Sequence, residues 1–186
     1  MKKVLISFIF LMLASYSFAH SFHYEIQVTT TPIVNKSGEL SGLNMAWLYD
    51  PEVSKALLQD KKDTHKLGKK LIEDLDVLGY FTQIKLNGKP LGTSMVKSYK
   101  LTKTGDNSLL LRFTLPLQKA LKLSGTMNFE LIHADPSATA ILYYDNAKHL
   151  ILEPSLKKFC RAKVEDKKKF AEGEAPQTVF IQCLVP

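Results

Sequence analysis

Seven side chains have the types and spacings that could do chemistry: His20, His23, Glu25, His133, Asp135, Cys160 and Cys183. The first three stand together near the start of the chain, in AHSFHYE. If the chain is cut before His20, that residue carries an α-amino group and an imidazole, with ordinary pKa values of about 8 and about 6.5, and both can give up a proton to a metal at neutral pH. Such nitrogen donors suit copper, nickel or zinc. His23 is a second candidate ligand, and Glu25, two residues on, a third. In a straight strand, however, a spacing of three turns His20 and His23 to opposite faces, roughly 10 Å apart at about 3.3 Å per residue. One shared ion then requires the terminus to bend back, which terminal residues are free to do. His133 and Asp135 form a weaker pair, alternate residues that would share a strand face. His65 and His149 sit in polar turns.

The cysteines carry a different chemistry. Two in an exported chain read as a Cys160–Cys183 disulfide, since neither lies in a C-x-x-C spacing or beside a histidine. The bridge would close a loop around a basic run. By loop-closure entropy it would stabilise the fold by about 3 kcal/mol. His133, Asp135 and Ser137 are triad residue types, but a triad is defined by its geometry in space, and no G-x-S-x-G elbow is present. With no catalytic motif in the sequence, the chain is expected not to be an enzyme.

Export is read from the first 19 residues. Lys2 and Lys3 precede the apolar run VLISFIFLML, which falls short of the roughly 20 residues a spanning helix needs. Ser17 and Ala19 then supply the small residues of a cleavage site before His20. Residues 1–19 are thus expected to be a signal peptide and residues 20–186 a single exported domain of 167 residues. A periplasmic location follows. Losing Lys2 and Lys3 takes the formal charge from +7 to +5. Much of the excess falls in KKFCRAKVEDKKKF, Lys157–Phe170, with seven basic residues against Glu165 and Asp166. A stretch such as Lys157–Lys169 can meet an anionic membrane surface, although a solvated loop is the commoner use. Nucleic acid is not an expected partner, because basic and aromatic residues are not interleaved.

The elements that must position these residues are mostly strands. FHYEIQV alternates apolar and polar residues, the mark of a half-buried strand, and the NKSGE turn leads into LSGLNMAWLY as its hairpin partner. Asp50 and Pro51 are a helix start, with Val53, Ala56, Leu57 and Leu58 on one face. Leu67, Leu71, Ile72, Leu75 and Leu78 define a second helix that Gly79 ends. Strands then resume, through a hairpin at Asn87-Gly88, another around 105–107, and the segments TMNFELIHAD, TAILYYD, FCRAKVE and QTVFIQCLV. A hairpin, a helix pair and a β-meander define an α+β fold, with a mainly antiparallel sheet or sandwich and the helix pair inserted after the first hairpin.

The order of GELSGLNMAWLYDP, LDVLGYFT, NGKP and LRFTLPL behind the A-H start resembles a family of exported bacterial proteins of unknown function. Its members are commonly labelled the periplasmic component of an uncharacterised ABC-type transport system and are associated with nickel/cobalt-type permeases. The resemblance covers nearly all of the mature chain. It implies an accessory role in transition-metal transport, with zinc, nickel or copper as the ion. The implied partner is an inner-membrane metal permease or ABC-type transporter component. The alternative is a protein-interaction or ligand-binding module that works without metal. Two departures stand out. Family members often carry A-H-P-H where this chain has A-H-S-F-H. Many also have an Asp/Gly-rich calcium-type loop between the helices, whereas Gln59–Lys70 lacks its alternating acids, and no calcium site is expected there.

Overall fold

A computed structural model describes residues 24–59 and 63–186. The fold is α+β and mostly antiparallel. Among the described residues, ten strands form two five-stranded sheets. The first sheet holds, in spatial order, β5 (Tyr99–Lys103), β6 (Leu109–Lys122), β2 (Glu39–Tyr49), β1 (Tyr24–Val34) and β8 (Ala140–Tyr143). The second holds β4 (Lys89–Leu91), β3 (Thr82–Leu86), β7 (Gly125–His133), β10 (Gln177–Val185) and β9 (Cys160–Asp166).

The alternation in β1 does what its sequence demands. Ile26, Val28 and Thr30 are buried, while Glu25 on the opposite face is exposed. β2 pairs with it antiparallel, Ile26 opposite Tyr49 and Val28 opposite Trp47, so both strands turn their apolar sets inward. Gly42 marks a close approach at a register shift between β2 and β6. A Cβ there would stand 2.7 Å from the Leu115 carbonyl oxygen. The Asn87-Gly88 hairpin joins β3 to β4 with both residues left-handed, at φ 49° and 77°.

Sequence and structure differ in the later strands. They do not run as one meander. They divide between two sheets, and β8 returns to pair parallel with β1, Glu25 opposite Ile141. VKSYKLTK reads as one strand from Val96, but β5 begins only at Tyr99.

The helix pair follows the first hairpin. In α1 (Pro51–Gln59), the Asp50 carboxylate accepts from the Val53 N–H at 2.8 Å, a capping bond at the N-terminus. Ser54 is fully buried and ties this helix to the sheet, its Oγ donating to the Tyr49 carbonyl and accepting from the Leu109 N–H at 2.7 Å. In α2 (Thr64–Val77), Asp63 caps the first turn by accepting from the N–H groups of His65 and Lys66. His65 therefore lies in a helix, not in a polar turn: the caps shift the boundary three residues ahead of the leucine pattern. Leu67, Ile72 and Leu75 are buried, as the apolar stripe requires.

The inner face of the first sheet is shared. Around Pro32, Leu40 and Leu43 it packs on Ile84, Leu131 and Ile181 of the second sheet. Around Ile26, Trp47 and Tyr49 it faces Val53 and Leu75 of the helix pair. The join after α2 is strained. Gly79, Tyr80 and Phe81 are consecutively left-handed, at φ 60°, 54° and 48°. Such conformations cost about 1–3 kcal/mol each for residues other than glycine and persist only where contacts over-determine them. Here the Tyr80 hydroxyl donates to Asp76 at 2.8 Å and accepts from the Val96 N–H at 2.9 Å, and the Phe81 ring stacks on Trp47.

Candidate functional site

His133 ends β7 opposite Thr82 of β3, on the face turned toward the first sheet. It is buried, and both ring nitrogens are in use. Nδ1 lies 3.1 Å from Thr82 Oγ1, and Nε2 lies 2.7 Å from the Tyr144 hydroxyl. Thr82 spends its own proton on the Tyr80 carbonyl at 2.7 Å, so its oxygen can only accept from the ring. The neutral imidazole thus carries its proton on Nδ1, and Nε2 accepts from Tyr144. The Tyr144 oxygen in turn lies 2.7 Å from Thr30 Oγ1 on β1. Gln177 of β10 holds Tyr144 in place, bonding both its N–H and its carbonyl. The result is a closed polar chain that links the two sheets through the core. Burial depresses the imidazole pKa from 6.5 to about 4 and pushes the Tyr144 phenol up. A ring so occupied offers no free lone pair to a metal.

Asp135 is also committed. Its Oδ1 accepts from the Ser137 N–H and hydroxyl, and its Oδ2 from the Thr139 N–H, the Thr139 hydroxyl and the Ala140 N–H. Burial would raise this carboxyl, but the five donors outweigh it and hold the group below its ordinary value. The bonds close the turn into β8. Among the described residues no hydrogen bond or ion pair joins His133 to Asp135, so the structure does not bring this pair together as a site.

His20 and His23, like the signal segment 1–19, lie outside the described residues. Glu25 is the first of the N-terminal candidates that the structure places. It is exposed, on the outer face near the start of β1. Tyr143, which ends β8, senses it. Burial raises that phenol, and the charges of Glu25, Asp145 and Asp50 raise it further. The register explains the convergence. Asp50 lies one step beyond the Ile26–Tyr49 pair, which places it beside Glu25, and Asp145 follows β8. The sequence offers Asp50 only as a helix start and Asp145 not at all, because the pairing of β1 with β2 and β8 is what brings their segments toward Glu25. No group of three or more His, Cys, Asp or Glu side chains able to hold a metal is found among the described residues.

Cys160 and Cys183 form a disulfide, with Cα atoms 4.0 Å apart at directly opposed positions of β9 and β10. The basic run is therefore partly strand. Lys163 pairs with Glu165 and stands 5.2 Å over the Phe180 ring, and Arg161 donates to the carbonyls of Lys157 and Cys160. Lys167, Lys168 and Lys169 follow β9 and are exposed.

These features define a disulfide-stapled, two-sheet α+β protein with a helix pair against one sheet, and no described helix is long and apolar enough to cross a membrane. The family model described as "Protein of unknown function (DUF1007)" matches residues 5–178, and the chain belongs to that family. No curated protein matches it.

Proposed function

We propose that this chain is an exported, periplasmic accessory protein of a transition-metal transport system. It captures zinc, nickel or copper at its mature N-terminus and passes the ion to an inner-membrane permease, without catalysis of its own. The observation that supports this reading most is the place of Glu25, exposed near the start of β1 and two residues after His23. In a chain with excess positive charge, the charges of Glu25, Asp50 and Asp145 all reach the Tyr143 phenol, so the start of β1 has acidic residues near it. Negative charge there attracts a cation, and Glu25 is an exposed oxygen ligand separated from His23 by Tyr24 alone. The buried roles of His133 and Asp135 remove them from the ligand set and concentrate the proposal on His20, His23 and Glu25. Lys167 to Lys169 supply a basic surface toward anionic lipid at the permease.

The test is a competition titration of the chain beginning at His20, against a chromophoric chelator, with nickel, zinc and copper salts. One ion per chain is expected. The double variant His20→Ala, His23→Ala loses that binding. Glu25→Gln with Asp145→Asn weakens it about tenfold, by removing charge near the ion. Undiminished affinity in the double histidine variant would falsify the N-terminal site. An intact chain that binds no metal yet captures a permease would replace this proposal with the metal-free interaction module.

A further inference from the structure

The outer face of the first sheet carries a groove of about 880 Å³, within the size range of small-molecule sites. Register builds its floor. Thr29 of β1, Ala46 of β2, Arg112 of β6 and Lys100 of β5 stand opposite one another in a single row across four strands. Their chain neighbours Val28, Trp47, Leu111 and Leu101 are buried, so the row itself faces outward.

Lys100 and Arg112 give the groove its chemistry. Both are exposed and directly opposed, and like charges in that position destabilise a sheet. A carboxylate between them would offset the repulsion. Among the described residues, however, no Asp or Glu lines the groove, and neither cation has an ion pair or a hydrogen bond. The second sheet shows the ordinary arrangement, with Lys85 opposite Glu130 and paired with it at 3.5 Å. On the other side of Arg112, Ala46 contributes only a methyl group to the groove. Two unpaired cations side by side, with no acid around them, are complementary to an anion.

The flanking rows say what kind of anion. On one side Thr114 donates its hydroxyl proton to Asn44 Oδ1 at 2.9 Å, which leaves the Asn44 amide nitrogen as a donor toward the groove. On the other side Leu48 and Leu110 are paired and form an apolar strip, and the exposed Ile151 adds an apolar wall. An inorganic anion would leave most of this volume and all of the apolar surface unused. A carbon skeleton covers it. The guanidinium fork matches a carboxylate in bidentate fashion, and the lysine ammonium supplies a second, more compact charge.

We propose that this groove binds a small organic dicarboxylate, with one carboxylate on the Arg112 fork, the other on Lys100, and the carbon chain against Leu48 and Leu110. No metal ion takes part, so the site does not depend on the N-terminal histidines.

The chain beginning at His20 is titrated with L-malate by isothermal calorimetry, in a low-salt buffer freed of divalent metals so that the charges are little screened. A saturable response with one malate per chain is expected. Arg112→Gln weakens it at least about tenfold, through loss of charge-assisted hydrogen bonds, and inorganic phosphate binds at least about tenfold more weakly than malate. The ligand-free thermal midpoint separates the site from the fold. Arg112 has no partner to lose, so Arg112→Gln is expected to leave that midpoint unchanged or raise it, while malate raises the midpoint of the native chain alone. A second variant, Ala46→Glu, places a carboxylate of the chain's own opposite Arg112 and is expected to abolish malate binding. No saturable response to malate, an undiminished affinity in Arg112→Gln, an equal affinity for phosphate, or a lowered midpoint in ligand-free Arg112→Gln overturns the proposal.

Discussion

Acid should act on this fold through His133 in a way that can be measured against a single variant. The ring is buried between the sheets and its pKa falls from 6.5 to about 4, because burial penalises the charged form. Between those two values the unfolded chain binds a proton at this residue and the folded chain does not. Stability therefore rises with pH across the window, and it falls as acid is added, at about 1.4 kcal/mol per pH unit for one proton. Over the whole window the loss is about 3 kcal/mol, and below the folded pKa this group contributes no further slope. The comparison is urea unfolding of the native chain and of His133→Gln, followed by Trp47 fluorescence from neutral pH down to about pH 4. Glutamine keeps a polar side chain between Thr82 and Tyr144 but does not titrate. With a urea dependence of about 1–3 kcal/mol per molar, the native midpoint should drop roughly 1–3 M further than that of the variant. Carboxylates that titrate near the acid end act on both proteins and cancel in the difference. Parallel midpoint-against-pH curves for the two proteins would show that His133 is not buried in neutral form, and the inter-sheet polar chain would then be wrong.

Tyr144→Phe removes the hydroxyl shared by His133 Nε2 and Thr30 Oγ1, and is expected to cost about 1–3 kcal/mol in urea unfolding for the partners left unpaired. Reducing the Cys160–Cys183 bridge, or replacing both residues by alanine, should cost about 3 kcal/mol, from the 23-residue separation it closes. An unchanged thermal midpoint after verified reduction would contradict that assignment. Gly42→Ala places a methyl 2.7 Å from the Leu115 carbonyl oxygen, where backbone cannot yield cheaply, so a loss of about 1–3 kcal/mol is expected in the same assay.

The local elements could be read from the sequence because each is set by neighbours. The two-residue period of β1, the Asp50-Pro51 helix start and the Asn87-Gly88 turn all act within a few residues. The pairing of the sheets is not local. β1 meets β8 across more than a hundred residues, and nothing in TAILYYD says whether it will pair parallel or antiparallel. The same holds for the polar chain. Thr30, Thr82, His133 and Tyr144 come from four separate segments, so His133 seen alone at a strand end looked open to a metal. Asp135 illustrates a different gap. The sequence places Asp135 at the end of the strand TMNFELIHAD, yet β7 stops at His133 and Asp135 opens a turn in which its one carboxylate collects five donors. The cysteines, in contrast, could be paired from number and compartment alone, and their directly opposed positions on β9 and β10 explain why the bond forms.

Native mass spectrometry of the chain recovered from the export compartment, with equimolar nickel or zinc added, tests the metal-capture proposal most directly. The account predicts the mass of His20–Pro186 with one disulfide and one bound ion, and loss of that ion when His20 and His23 are both replaced by alanine. A mature chain that begins elsewhere, or one that stays metal-free in both salts, would contradict it.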